Sequence, residues 1–293
     1  MLTHGALYTD AAPPEGPPNV TAAFFIMLRE GLEAALIVGI IAAYLVKIER
    51  RDALRGVAIG VAAALALSVA VGMLVAVTVE RLPALIKDGI EGLTAIFAVV
   101  VLTWMLFWMR RQGRAIKGEL EGGIDAALAG GSMLALAGLA FIAVAREGLE
   151  TVLLLIAIGQ SSGPAVLTFL AAVAGLAVAT GIGYAIFAMG VRVDLRKFFT
   201  FTGVVLIFVA AGLCAFAVHE FVDAGLLPKL DPVFDLSGLL PESSPLGSLL
   251  AGLFGYRSAP TPLEVIAYLG YLIPVLTLFL MPTRRTVRVP TPA

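Results

Sequence analysis

The sequence predicts an all-α polytopic membrane protein. It has seven transmembrane helices, the N-terminus outside and the C-terminus inside, built as a 3+3 inverted repeat plus one helix. Three observations carry this. The 293 residues are 60% hydrophobic and 14% charged, with a mean hydropathy of +0.99, whereas a soluble domain carries about 25% charged residues. Apolar runs of roughly 20 residues, the length that crosses a bilayer core, recur along the chain. One charged pentapeptide, Arg-Glu-Gly-Leu-Glu, occurs inside two of those runs, at 29–33 and 146–150.

Taken in order, residues 1–19 contain no basic start and no continuous apolar stretch, so they read as a Pro-rich extracytoplasmic tail and not as a cleavable signal. Apolar spans are expected at 20–46, 56–79, 89–109, 128–158, 165–190, 198–219 and 262–282, within one permease domain of 20–282. The repeat halves are about 20–109 and 128–219. An outer loop at 223–261, rich in Pro, Ser and Gly, precedes the seventh span, and 283–293 form a cytoplasmic tail. Within the outer loop, "LGSLLAGLFG" is too short to span and fits the interface.

Orientation follows from basic residues. The connections after the first, third and fifth spans, with the C-terminal tail, hold fourteen Lys and Arg, and the opposite side holds four. Positive charge is retained in cytoplasmic loops during insertion, which places these connections inside. Eleven acidic residues on the outer side exceed the four basic ones there, enough to concentrate cations near an entrance. The insertion rule alone also accounts for that imbalance. Cys214 is the single cysteine, which excludes an intrachain disulfide and any Cys-based metal or redox motif.

The pentapeptides carry the chemistry. On a helix Glu30 and Glu33 share a face, as do Glu147 and Glu150, and Arg29 and Arg146 lie four residues before the second acid of each pair. A charged residue at a bilayer centre costs about 2.5–3.5 kcal/mol on insertion scales, and clusters there mark ion or proton pathways. Four carboxylates against two guanidiniums leave an excess of negative charge that calls for a bound cation or for protons. An all-oxygen set suits hard cations. Because the first and fourth spans run in opposite directions, a two-fold axis in the membrane plane would gather the four acids at the midplane, a common transporter plan. Gly31 and Gly148 leave room for a neighbouring helix.

Two further stretches stand out. Near the outer end of the sixth span, His219, Glu220 and Asp223, with Glu91 from the third span, form a candidate site where metal is first taken up; a polar helix end is the plainer reading. "HEF" lacks the second His of a zinc protease. "TWMLFWM" at 103–109 reads as an aromatic belt at the cytoplasmic boundary.

The paired Arg-Glu-x-x-Glu motifs, with "WMLFWM", "AVHEFVDAGLLP", "FDLSGLL" and "LLAGLFGYRSAPTPLEVIAYLGYL", resemble the oxidase-dependent iron permeases. That family comprises the fungal high-affinity permeases and the bacterial Efe-type permease, and the later stretches point to the bacterial branch. The resemblance implies a multi-pass protein of the bacterial inner membrane that imports iron, Fe(II) or Fe(III), as a transported substrate with no permanently bound cofactor. It implies Glu30, Glu33, Glu147 and Glu150 as metal ligands, supported by Arg29 and Arg146. It also implies a periplasmic iron-binding protein and a peroxidase or ferroxidase as partners, and no nucleic acid. Rival readings are a permease for lead, manganese or magnesium, or a membrane subunit of an oxidoreductase. For haem ligation the latter has only His4 and His219.

Overall fold

The computed structural model describes residues 20–281 except 80–83, 113–115, 130–132, 160–164, 188, 190–193 and 243. The two expected tails, with His4, lie outside the described residues. Nine α-helices are present among those described. They are α1 Val20–Lys47, α2 Leu54–Val79, α3 Ala84–Gln112, α4 Ile116–Ala129 and α5 Met133–Gly159, then α6 Ala165–Phe187, α7 Leu195–Asp223, α8 Pro245–Phe254 and α9 Pro262–Leu280. No strand occurs among the described residues.

Among the described residues, five segments are long and apolar enough to cross a membrane: Arg51–Thr78, Gly89–Met109, Val166–Phe187, Leu195–Asp223 and Pro262–Leu280. Helices α1 and α5 match them in length, but the pentapeptides interrupt their apolar character. Leu65, Met73 and Leu74 of α2, and Phe169 and Leu170 of α6, face outward. Contiguous apolar surface of that kind is rare on soluble proteins and fits contact with lipid.

The expected boundaries shift in three places. The span expected at 128–158 is α5, which begins later, at Met133, and a helix not expected as a span, α4, precedes it and ends at Ala129. Charges spaced along 117–125 hid α4 from a search for apolar runs. Its Ile124 and Ala127 are buried with Ile41, Leu45, Leu136 and Ala140, and Tyr44 of α1 donates to Asp125 at 2.7 Å. The sixth span runs on to Asp223. The interfacial stretch forms α8, started by Ser244 and Pro245 and stopped by Gly255 at φ 64°, a left-handed position that favours glycine. Helix α8 packs on α7 and the start of α1.

Helix pairing sets the centre. Helices α1 and α6 run parallel, Gly31 against Leu176 and Ala179, Gly39 against Phe187. Helices α2 and α5 also run parallel, Gly56 against Met133, Gly60 against Ala137, Gly72 against Val152. Helix α1 crosses α5 antiparallel: Ile26 shares a cluster with Leu154 and Ala157, and Ile41 shares one with Leu136 and Ala140. Helices α3 and α7 lie together beside the first turns of α1 and the last turns of α5. Helix α9 packs on α7, with Phe279 against Gly203.

Close approach is coded by small residues every fourth position: Gly31, Ala35 and Gly39 on α1, Gly175, Ala179 and Gly183 on α6, and Gly56, Gly60, Ala64, Ser68 and Gly72 on α2. In a membrane, where lipid is as apolar as leucine, such ridges let backbones meet and gain dispersion contact. A Cβ at Gly175 would strike the Phe24 carbonyl, whereas one at Gly181 on the same helix meets nothing within 4 Å. Gly175→Ala is therefore expected to cost about 1–3 kcal/mol through overpacking, read as a lower thermal midpoint in detergent. Gly181→Ala should leave the midpoint unchanged or raised. Equal midpoints for the two variants would contradict this packing.

Candidate metal centre

Both pentapeptides sit where α1 crosses α5, between two apolar clusters. One cluster, around Ile26 and Leu154, lies on one side, and the other, around Ile41 and Leu136, lies on the other. At the crossing Gly31 faces Ala179 at 3.0 Å from a built Cβ, and a Cβ at Gly148 would strike the Ser68 hydroxyl. The two glycines thus let α6 and α2 pack hard against the charged turns.

Glu30, Glu33 and Glu147 converge. Each offers a carboxylate oxygen, and these oxygens all lie within 4.8 Å of one another. Glu30 is 1% exposed, and neither of its oxygens has a hydrogen-bond partner. Glu33 Oε1, Glu147 Oε2 and Glu150 Oε2 are likewise buried without one. Buried acceptors left unpaired are costly, and a cluster of them around one point is the arrangement a cation would satisfy. Glu150 lies outside the group of three. It accepts a hydrogen bond from Arg146 Nε at 3.1 Å.

The two arginines differ. Arg29 is 2% exposed; its Nε lies 3.2 Å from Glu33 Oε1 and its Nη1 3.9 Å from Glu30 Oε1. The first contact lacks hydrogen-bond alignment and the second is too long, so Nε and Nη1 are buried donors without acceptors. Its Nη2 instead donates to Met109 Sδ at 3.0 Å. Arg146 is 40% exposed and its guanidinium carbon lies 4.4 Å from the centre of the Trp108 ring.

Sequence reasoning missed those two residues of α3. The stretch read as an aromatic belt is divided: Trp104 is exposed, while Trp108, stacked on it at 5.9 Å, turns to Arg146. Nothing in the spacing announces this, because α3 is 80 residues from Arg29 in the chain. The small-residue ladders of α2 and α6, which draw those two helices in, were also missed; only Gly31 and Gly148 were read as places of close approach.

Glu91, His219, Glu220 and Asp223, the second expected cluster, do not draw together as the acids of the pentapeptides do. Among the described residues no other group of three or more His, Cys, Asp and Glu closes to ligand separation. His219 Nδ1 hydrogen-bonds with Glu264 Oε1 at 2.9 Å, and its Nε2 lies 3.4 Å from Asp223. Glu264, 2% exposed, also closes a capping box with Thr261 and faces Arg257 at 3.7 Å. Glu91 is buried in the first part of α3, and Glu220 is half-buried on α7. The His219–Glu264 pair ties α7 to α9; Glu264 was expected only as one of many outer acids.

The sequence signature described as "Iron permease FTR1 family" matches residues 20–287. The chain is similar to proteins named "Ferrous iron permease EfeU". The one from Yersinia pestis is 44% identical over 266 residues, covering 90% of this chain and 94% of that protein. Those from Escherichia coli and Shigella sonnei are each 43% identical over 264 residues, covering 89% of this chain and 95% of theirs. No solved structure matches the chain.

Proposed function

The chain belongs to the iron permease FTR1 family, and on that premise we propose that it imports ferrous iron across the bacterial inner membrane. The route passes through a carboxylate site formed by Glu30, Glu33, Glu147 and Glu150. The observation that carries this reading is the convergence of three buried carboxylates from two helices, with oxygens inside 4.8 Å. Separations of that order close to ligand distances of about 2.0–2.6 Å with small rotamer changes. The choice of Fe(II) rests on the printed name shared by the relatives.

The reaction is a translocation, and the residues' tasks follow from electrostatics. Four carboxylates strip water from the ion and replace it with fixed oxygens. The arginines lower the repulsion among those carboxylates when no ion is bound, and Arg146, held to Glu150, keeps that acid aside. Cation arrival lets Glu150 exchange a guanidinium for the metal, so charge stays balanced along the path.

The inverted-repeat reading is supported by reciprocal pairing: α1 packs parallel on α6, and α5 packs parallel on α2, about an antiparallel α1–α5 crossing. The support comes from these four helices. Helices α3 and α7 lie together on one side of the crossing. With α9 peripheral, the seven spans would be α1, α2, α3, α5, α6, α7 and α9, the N-terminus outside. A periplasmic iron-binding protein and a peroxidase or ferroxidase would meet the outer surface around 223–261.

The test is uptake by proteoliposomes holding a metal-sensitive fluorescent chelator. Fe(II) kept reduced is expected to enter at least ~10-fold faster than Fe(III), Mn(II) or Mg(II). That ratio is within reach of about 1.4 kcal/mol of differential binding. Equal rates for Mg(II) and Fe(II) would favour a general divalent-cation permease. Movement only outward would overturn the direction.

A further inference from the structure

One turn of α3 touches both arginines of the proposed site, on residues to which the carboxylate chemistry assigns nothing. Met109 Sδ accepts from Arg29 Nη2 at 3.0 Å, and the Trp108 ring lies under the Arg146 guanidinium at 4.4 Å. We propose that Trp108 and Met109 are positioning residues that hold the two guanidiniums off the cation-facing carboxylate oxygens, keeping those oxygens open for the metal. This rests on the four-carboxylate reading above.

The polar groups at the crossing are poorly paired. Arg29 Nε and Nη1 and five carboxylate oxygens of Glu30, Glu33, Glu147 and Glu150 are buried without hydrogen-bond partners. Donors and acceptors lie 3.2–3.9 Å apart. A guanidinium with free choice would rotate into bidentate contact with a carboxylate, its strongest partner. Arg29 instead spends an N–H on a thioether, a weak acceptor. An anchor outside the carboxylate cluster explains that orientation. Arg146 Nε donates to Glu150 Oε1, and the Trp108 face holds the rest of that guanidinium away from the unpartnered Glu150 Oε2, because the negative face of an indole attracts a cation without presenting an acceptor that competes for metal. Adjacent positions on a helix point about 100° apart, so one turn can serve two arginines that approach from α1 and α5.

Without the anchors the guanidiniums would also cover the carboxylate oxygens that are now unpartnered, and the metal would have to displace more than the one Arg146–Glu150 bond. Trp108→Leu is expected to raise the Fe(II) concentration for half-maximal uptake at least ~5-fold, with the maximal rate changed less. Trp108→Phe keeps an aromatic face and should stay within ~2-fold of the unmodified protein. Arg146→Gln removes the cation, so adding Trp108→Leu to it should cost less than ~2-fold more, the non-additivity expected of one interaction. Met109→Leu, near in volume and lacking the sulfur, should raise the half-maximal concentration ~3-fold or more.

A measurement without metal guards against variants that fail to fold. In full-length Trp104→Phe protein, Trp108 is the single tryptophan, and its emission should change when Arg146→Gln removes the cation above the ring. Identical emission would overturn the contact, and with it the proposal. So would a Trp108→Phe defect as large as that of Trp108→Leu, which would leave only packing, or wild-type half-maximal uptake in Trp108→Leu. These failures leave the carboxylate site untouched, since that reading falls only if the Glu variants transport normally.

Discussion

Glu30→Gln is expected to cut Fe(II) uptake at least ~100-fold while the protein still reaches the membrane. The side chain is 1% exposed, both oxygens lack hydrogen-bond partners, and it belongs to the convergent group of three. Glutamine has nearly the same shape but offers one neutral oxygen where the carboxylate offers two charged ones. Altering groups that merely support a ligand typically costs 10–100-fold in metal affinity or activity, so losing a ligand should cost no less. Glu33→Gln and Glu147→Gln should follow closely. Glu150→Gln should be the mildest of the four, because Glu150 lies outside the group of three and is bound to Arg146. Uptake of radioactive iron normalised to membrane protein level checks the order. Normal transport by two of the four variants would sink the shared site.

Arg29→Ala should produce the second largest effect, and on folding as well as uptake. It strips the nearest positive charge from Glu33 and Glu30, which lie 3.2 and 3.9 Å from the guanidinium. Leaving a buried charge without its partner costs about 3–5 kcal/mol, a large share of the stability of a single domain. The expected readouts are a lower thermal midpoint in detergent and loss of uptake. Arg146→Ala should be milder, because Arg146 is 40% exposed against 2% for Arg29. Arg29→Lys should remain defective: a lysine ammonium lacks the planar fork that spans two acids and the thioether at once. Full uptake by Arg29→Lys would show that positive charge alone suffices.

Much was legible in the linear chain because the membrane imposes simple periodic demands. Apolar runs of bilayer length mark α1, α2, α3, α6, α7 and α9 to within a few residues, since lipid tolerates little else. The repeated pentapeptide marked the charged layer, because such groups are costly enough in an apolar setting to be informative wherever they occur. The break between α4 and α5 was not legible: a mixed-charge amphipathic helix beside an apolar one gives no sharp change in hydropathy. It is the burial of Ile124 and Ala127 against α1 and α5 that holds α4 there.

The sequence by itself determined which residue types meet the metal problem: two Arg-Glu-x-x-Glu turns, each with its acids on one helical face by the 3.6-residue period. Tertiary structure alone decided their relations. It brought Glu147 to Glu30 and Glu33 but left Glu150 with Arg146. It buried one arginine and exposed the other, and it set Trp108 and Met109 against them. It also paired His219 with Glu264, a tie between helices. The physical reason is range. Helical period and hydropathy are local and repeat every few residues. The distance between side chains on separate helices depends on how closely backbones approach, and small-residue ridges far apart in the chain decide that.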